Sequence, residues 1–149
     1  MPHDPRLYDA LGFQLSHAAR IQTRRLEDDL RKLGLARSVL VILQAVEYGG
    51  RRQPSDIADH VGMDRTATSR TLRRMEADGL ITRADGKTDG RTRTIALTPR
   101  GAELLSRAIP LAKRNAAVIA ARLNPAEQAQ LMSLLQKIST GDDTPPPNR

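Results

Sequence analysis

Apolar side chains recur at three- and four-residue spacing between residues 7 and 33, at Leu7, Leu11, Leu15, Ala18, Leu26, Leu30 and Leu33. That spacing puts them on one helical face and predicts a long amphipathic helix, stopped by Gly34. A second helix is expected from about Ala36 to Tyr48, breaking at Gly49-Gly50. Its apolar residues Val39, Leu40, Ile42, Leu43 and Val46 cover more than one face, which suits a central, buried position. A short third helix runs from about Ser55 to Val61, with Pro54 at its start and Gly62 at its end. The fourth begins after Asp64, an N-cap, and runs to about Asp78, where Gly79 ends it.

The period then changes. Leu80-Ile81-Thr82-Arg83 and Thr92-Arg93-Thr94-Ile95-Ala96-Leu97 suit two strands, joined through the turn-rich Asp85-Gly86-Lys87-Thr88-Asp89-Gly90. Thr98-Pro99 caps a further helix reaching about Leu123, and Asn124-Pro125 opens a last one striped by Leu131, Leu134, Leu135 and Ile138. The C-terminal segment from Gly141, with three successive prolines, cannot continue a helix and is expected to be disordered. The expected architecture is mostly α with a small β-hairpin: four helices, the hairpin and two more helices.

With 149 residues there is room for one compact domain with terminal extensions. Aromatic residues are limited to Tyr8, Phe13 and Tyr48, so the core falls to Leu, Ile, Val, Ala and Met. Their scarcity counts against single-stranded nucleic acid and RNA, which are held on stacking platforms. Twenty-four Lys and Arg against 17 Asp and Glu give a net charge of +7, a balance that suits a polyanionic partner. Between Arg51 and Arg100 the count is eleven basic to seven acidic, so part of the excess lies in the block of short helices and hairpin. There is no cysteine, which excludes disulfides, thiolate metal sites and thiol redox sensing. No signal peptide and no membrane-length apolar run is present, and a cytoplasmic protein is expected.

Two short helices joined by Gly62-Met63-Asp64 and followed at once by a hairpin have the layout of a winged helix-turn-helix. On the fourth helix Thr68, Leu72 and Met75 fall on one face and are expected to pack inward. Thr66, Ser69, Arg70, Arg73 and Arg74 fall on the other. Short hydroxyls allow close approach to base edges, and arginines reach guanine or phosphate. The same stripe would also serve as a solvated face. The hairpin carries Arg83, Lys87, Arg91 and Arg93, which suits a minor groove and equally suits an exposed charged hairpin. Asp89 stands two residues before Arg91, where it could buttress that arginine or turn the chain.

The segment from Pro54 to Arg70 (PSDIADHVGMDRTATSR) resembles the helix-turn-helix of the MarR family of bacterial transcriptional regulators. Met75-Glu76-Ala77-Asp78-Gly79-Leu80-Ile81-Thr82-Arg83 is similar to that family's exit from recognition helix into wing. Asp89-Gly90-Arg91 matches its Asp-x-Arg wing motif, and Leu97-Thr98-Pro99-Arg100-Gly101 its Leu-Thr-x-x-Gly helix opening. The likeness covers roughly residues 7 to 140, and four pieces occur in the right order.

The resemblance implies a winged helix-turn-helix over residues 35–98, with residues 1–34 and 99–140 forming the dimerisation helices. It implies a regulator, expected to be a repressor, that binds a pseudo-palindromic DNA duplex as a homodimer. Thr66, Ser69, Arg70 and Arg73 would lie at the major groove, with Arg65 and Arg74 on the same helix. Arg91 would lie at the minor groove, beside Lys87 and Arg93 and buttressed by Asp89. Family members commonly release DNA on binding small anionic, often phenolic, effectors. His17, Arg20 and Arg24, spaced along one face of the first helix, with Tyr48 nearby, are candidates for such a site; a solvated or salt-bridged face is the alternative.

An enzyme is not expected. His3, His17 and His60 are scattered, no glycine-rich phosphate loop occurs, and no cofactor is implied. Asp56, Asp59 and His60 make the one near-cluster of metal-ligand type, on a helix expected to be packed. A winged helix used for protein contact is the remaining rival.

Overall fold

The computed structural model describes residues 10–85 and 93–140. Its order of elements is α1 (Leu11–Arg31), α2 (Arg37–Glu47), α3 (Pro54–Val61), α4 (Arg65–Ala77), β1 (Ile81–Asp85), β2 (Arg93–Leu97), α5 (Pro99–Ala120) and α6 (Pro125–Ser139). This is the mostly helical order with one antiparallel hairpin that the periodicity leads one to expect. The expected tail from Gly141 onward lies outside the described residues. The chain falls into two compact units, which part between Lys113 and Arg114 within α5.

In the first unit α2 is the central element. Leu40, Ile42, Leu43, Ala45 and Val46 are all buried, because apolar residues on more than one face leave it only a narrow, half-buried side at Ser38, Val41 and Gln44. Around it gather Leu26 and Leu30 of α1, Ile57 and Ala58 of α3, Leu72 and Met75 of α4, Ile81 and Ile95 of the hairpin, and Leu105 and Ala108 of α5. The outer part of α1 is not part of this core: Leu11 is 66% and Ile21 49% exposed.

Strand β1 pairs with β2 in the register Ile81↔Leu97, Arg83↔Ile95 and Asp85↔Arg93. The free edge of β2 is partly covered, since the Ile95 N–H donates to the Arg52 carbonyl at 2.8 Å. The segment leaving α2 thus adds a third, short contact to a two-stranded ribbon that would be marginal alone. β1 begins at Ile81, one residue after the expected start, because Leu80 is spent on closing the preceding helix.

In the second unit, α6 starts with a reciprocal cap. Asn124 Oδ1 accepts from the Glu127 N–H at 2.9 Å, and the Glu127 carboxylate accepts from the Asn124 N–H at 2.9 Å. Gln128 Nε2 donates to the Ala120 and Leu123 carbonyls, which closes the turn between the two helices. α5 ends at Ala120, three residues short of the expected Leu123; residues 121–123 form that turn. Helix α6 has no buried residue.

Candidate nucleic-acid interface

Helix α4 is held from both ends and from one side, and this decides which of its residues face outward. At its start, Asp64 accepts a hydrogen bond from the Ala67 N–H at 2.8 Å, satisfying one of the free donors of the first turn. Gly62, at φ 67°, makes the left-handed turn that ends α3 and lets α4 set off in a new direction. Thr68, Leu72 and Met75 are fully buried, as the spacing implied. The Thr68 hydroxyl, inside the core, donates to the Asp64 carbonyl at 2.9 Å and so is not left unsatisfied.

With that face anchored, Arg65, Thr66, Arg70, Arg73 and Arg74 are exposed and Ser69 is half-buried. Among the described residues Arg70 and Arg73 have no ion-pair partner, so their guanidinium groups are free to meet an anion. Arg74 lies 3.8 Å from Asp78, in an exposed pair that holds it weakly. The outward face therefore combines a hydroxyl with four unscreened or weakly screened arginines, on a helix whose axis is fixed by the core.

The exit from α4 is equally constrained. The Leu80 N–H donates to the Met75 carbonyl, the Gly79 N–H to the Glu76 carbonyl, and Gly79 adopts φ 71°. The Thr98 hydroxyl donates to the Gly79 carbonyl at 2.6 Å and accepts from the Gly101 N–H at 3.0 Å. A β-carbon at Gly101 would stand 2.0 Å from the Leu80 carbonyl oxygen, so only glycine allows this approach. The Leu-Thr-x-x-Gly pattern thus closes a corner where α4, the hairpin and α5 meet.

The hairpin residues divide. Lys87, Asp89 and Arg91 lie outside the described residues. Arg93 opens β2 opposite Asp85. Arg83 is a correction: grouped with the outward basic residues of the wing, it instead turns inward, with 10% of its side chain exposed. Its Nε lies 3.2 Å from Oε2 of Glu76. The alternation with buried Ile81 was the signal for this: residues two apart on a strand share a face.

On α1, His17, Arg20 and Arg24 do share one side and border an open hollow of about 430 Å³, together with Ile21, Arg25, Asp28 and Asp29. The His17 ring also stacks on Phe13, with centroids 6.0 Å apart. Tyr48 is not brought to that hollow. It is 67% exposed and borders a separate concavity of about 490 Å³ with Val41, Gln44 and His60. Asp56, Asp59 and His60 are exposed, and among the described residues no cluster of three or more metal-ligating side chains forms. Nor is any described helix long and apolar enough to cross a membrane.

A buried helix followed by a short helix, a left-handed glycine turn, a second helix with an arginine face and an antiparallel hairpin defines a winged helix-turn-helix protein. Residues 33–92 match the model of the MarR family. It is 25% identical over 130 residues to a helix-turn-helix-type transcriptional repressor of Mycobacterium tuberculosis, covering 87% of this chain and 94% of the relative. Among solved structures it resembles Bordetella bronchiseptica BpsR, described in terms of regulation of DNA binding by 6-hydroxynicotinic acid. There the TM-score is 0.85 at 23% identity, over 95% of this chain and 100% of that one. It also resembles a mutant of Escherichia coli MarR complexed with operator DNA, with a TM-score of 0.79 at 22% identity, over 86% and 92% of the two chains.

Proposed function

We propose that this chain is a sequence-specific transcriptional regulator, acting as a repressor, that binds a pseudo-palindromic DNA operator as a homodimer in the cytoplasm. The observation that carries this is the outward face of α4, where Thr66, Arg70 and Arg73 stand exposed on a helix locked by Thr68, Leu72 and Met75. Such a face enters a major groove, its arginines reaching guanine edges or phosphates. Arg65, Ser69 and Arg74 flank it. Lys87, Arg91 and Arg93 follow the adjacent minor groove, with Asp89 as buttress.

The homodimer is supported by apolar residues left uncovered within one chain, including Leu11, Ile21, Leu131, Leu134 and Ile138. Residues 35–98 form the DNA-binding part, and residues 1–34 and 99–140 the dimerisation part. Two recognition helices about 34 Å apart would read the two half-sites. A small anionic or phenolic effector would use the cationic side of α1 at His17, Arg20 and Arg24, in keeping with the regulation of Bordetella BpsR by 6-hydroxynicotinic acid. Tyr48, bordering a different hollow, is left out of that site.

Selection of bound fragments from random duplex DNA at two salt concentrations tests this. Enrichment of a two-fold-symmetric site with steep salt dependence is the expected result. Binding without sequence enrichment would reduce the protein to a nonspecific polycation, and no binding at low salt would leave a protein-contact module. Within an enriched site, Arg70→Ala should cost about 1–3 kcal/mol at one base position.

A further inference from the structure

Arg83 occupies a position that packing alone would give to an aliphatic side chain. It faces inward between exposed Thr82 and Ala84, in register with Ile95, which is fully buried. Burying a guanidinium there carries a desolvation cost that a leucine or methionine would not. The compensation is Glu76, in the last turn of α4, whose carboxylate lies 3.2 Å from the Arg83 Nε. The Nε and Nη2 atoms are buried without an aligned hydrogen bond. The contact is therefore a charge pair across two elements, not a directed fork. Such pairs add little net stability; their best-attested use is to favour one arrangement over its neighbours.

The elements they join are the two whose relative angle matters for reading DNA. The backbone bonds at Gly79 and Leu80, with Thr98, pin the base of β1 to the end of α4. A two-stranded ribbon twists readily beyond such a base. Arg83 supplies a second point of attachment, two residues further along β1.

Building on the DNA-binding reading, we propose that Glu76 and Arg83 are positioning residues: their ion pair sets the wing's angle to α4, so that major-groove and wing contacts are made together.

The test compares operator affinity, its salt dependence and thermal midpoints for wild type, Arg83→Met, Arg91→Ala, Arg70→Ala and the doubles of Arg83→Met with each. Methionine keeps the stem in the core and removes the charge, so the midpoint should hold or rise. Operator binding should fall about tenfold, with a shallower salt slope. Arg83→Met should cost nothing further in the Arg91→Ala background, yet retain its full cost beside Arg70→Ala. If Arg83→Met binds within twofold of wild type, or loses as much beside Arg91→Ala as alone, the strut is overturned. An Arg91→Ala protein that binds like wild type would instead remove the wing reading, and the strut with it. Should Arg83→Met fail to fold, Glu76→Gln carries the same comparison from the helix side, with the same two outcomes.

Discussion

Helices α2 and α6 are built from similar apolar residues and end in opposite circumstances. Of the eleven residues of α2, Leu40, Ile42, Leu43, Ala45 and Val46 are buried within the chain. The fifteen residues of α6 bury none and leave Leu131, Met132, Leu134 and Ile138 between 40% and 58% exposed. The outer half of α1 is like α6, and its inner end, with Leu26 and Leu30, is like α2. Hydrophobic periodicity says that a face wants cover; it does not say whose. For the winged helix the cover comes from its own chain. For α6, covering four such side chains would contribute several kcal/mol, at about 1 kcal/mol for each half-exposed residue, and a second copy is the cover we propose.

The contrast can be broken from either side. The largest effect is expected in the packed region: Leu72→Ala, beneath the arginine face of α4, should cost about 3 kcal/mol in urea unfolding through the cavity it leaves. A cost under about 1 kcal/mol would mean that α4 is far less firmly seated than its burial implies. Gly101→Ala should follow at about 2 kcal/mol, because the backbone must shift to relieve the clash with the Leu80 carbonyl. Operator binding should suffer with it, since the same corner fixes the exit of α4. In the uncovered region, Leu134→Lys with Ile138→Lys should leave the helical circular dichroism of the chain intact. Sedimentation should show dimerisation weakened at least tenfold, about 1.4 kcal/mol. Unchanged association would place the dimer surface elsewhere. The smallest effect is expected from Asp64→Ala, about 1 kcal/mol for loss of one N-cap, read by thermal unfolding.

A good part of the candidate site could be read along the chain because the signals that place it are local. Asp64, Gly62 and Gly79 bound α4 through bonds and dihedrals only a few residues long, and the alternation of Thr68, Leu72 and Met75 with Thr66, Arg70 and Arg73 is a property of one helix. Arg83 departs from the outward charge that the arginine-rich composition of the hairpin suggests, because strand parity puts it on the same face as buried Ile81. Tyr48 parts from His17, Arg20 and Arg24 because helix order does not say toward which hollow a residue at a helix end points. Pro110 removes a backbone donor inside α5, yet the helix runs through it, so a local breaker signal does not decide the helix there.

By itself, then, the sequence determined the order of the elements, the starts and stops marked by caps and glycines, and the two faces of α4. Caps, glycine stops and a 3.6-residue period act within a turn or two of the chain. The tertiary structure alone decided that Arg83 meets Glu76, that Thr98 and Gly101 close on Gly79 and Leu80, and that α6 finds no cover comparable to that of α2. Each of these depends on residues several to nineteen or more positions apart being brought together or kept apart by packing, and no local pattern encodes that distance.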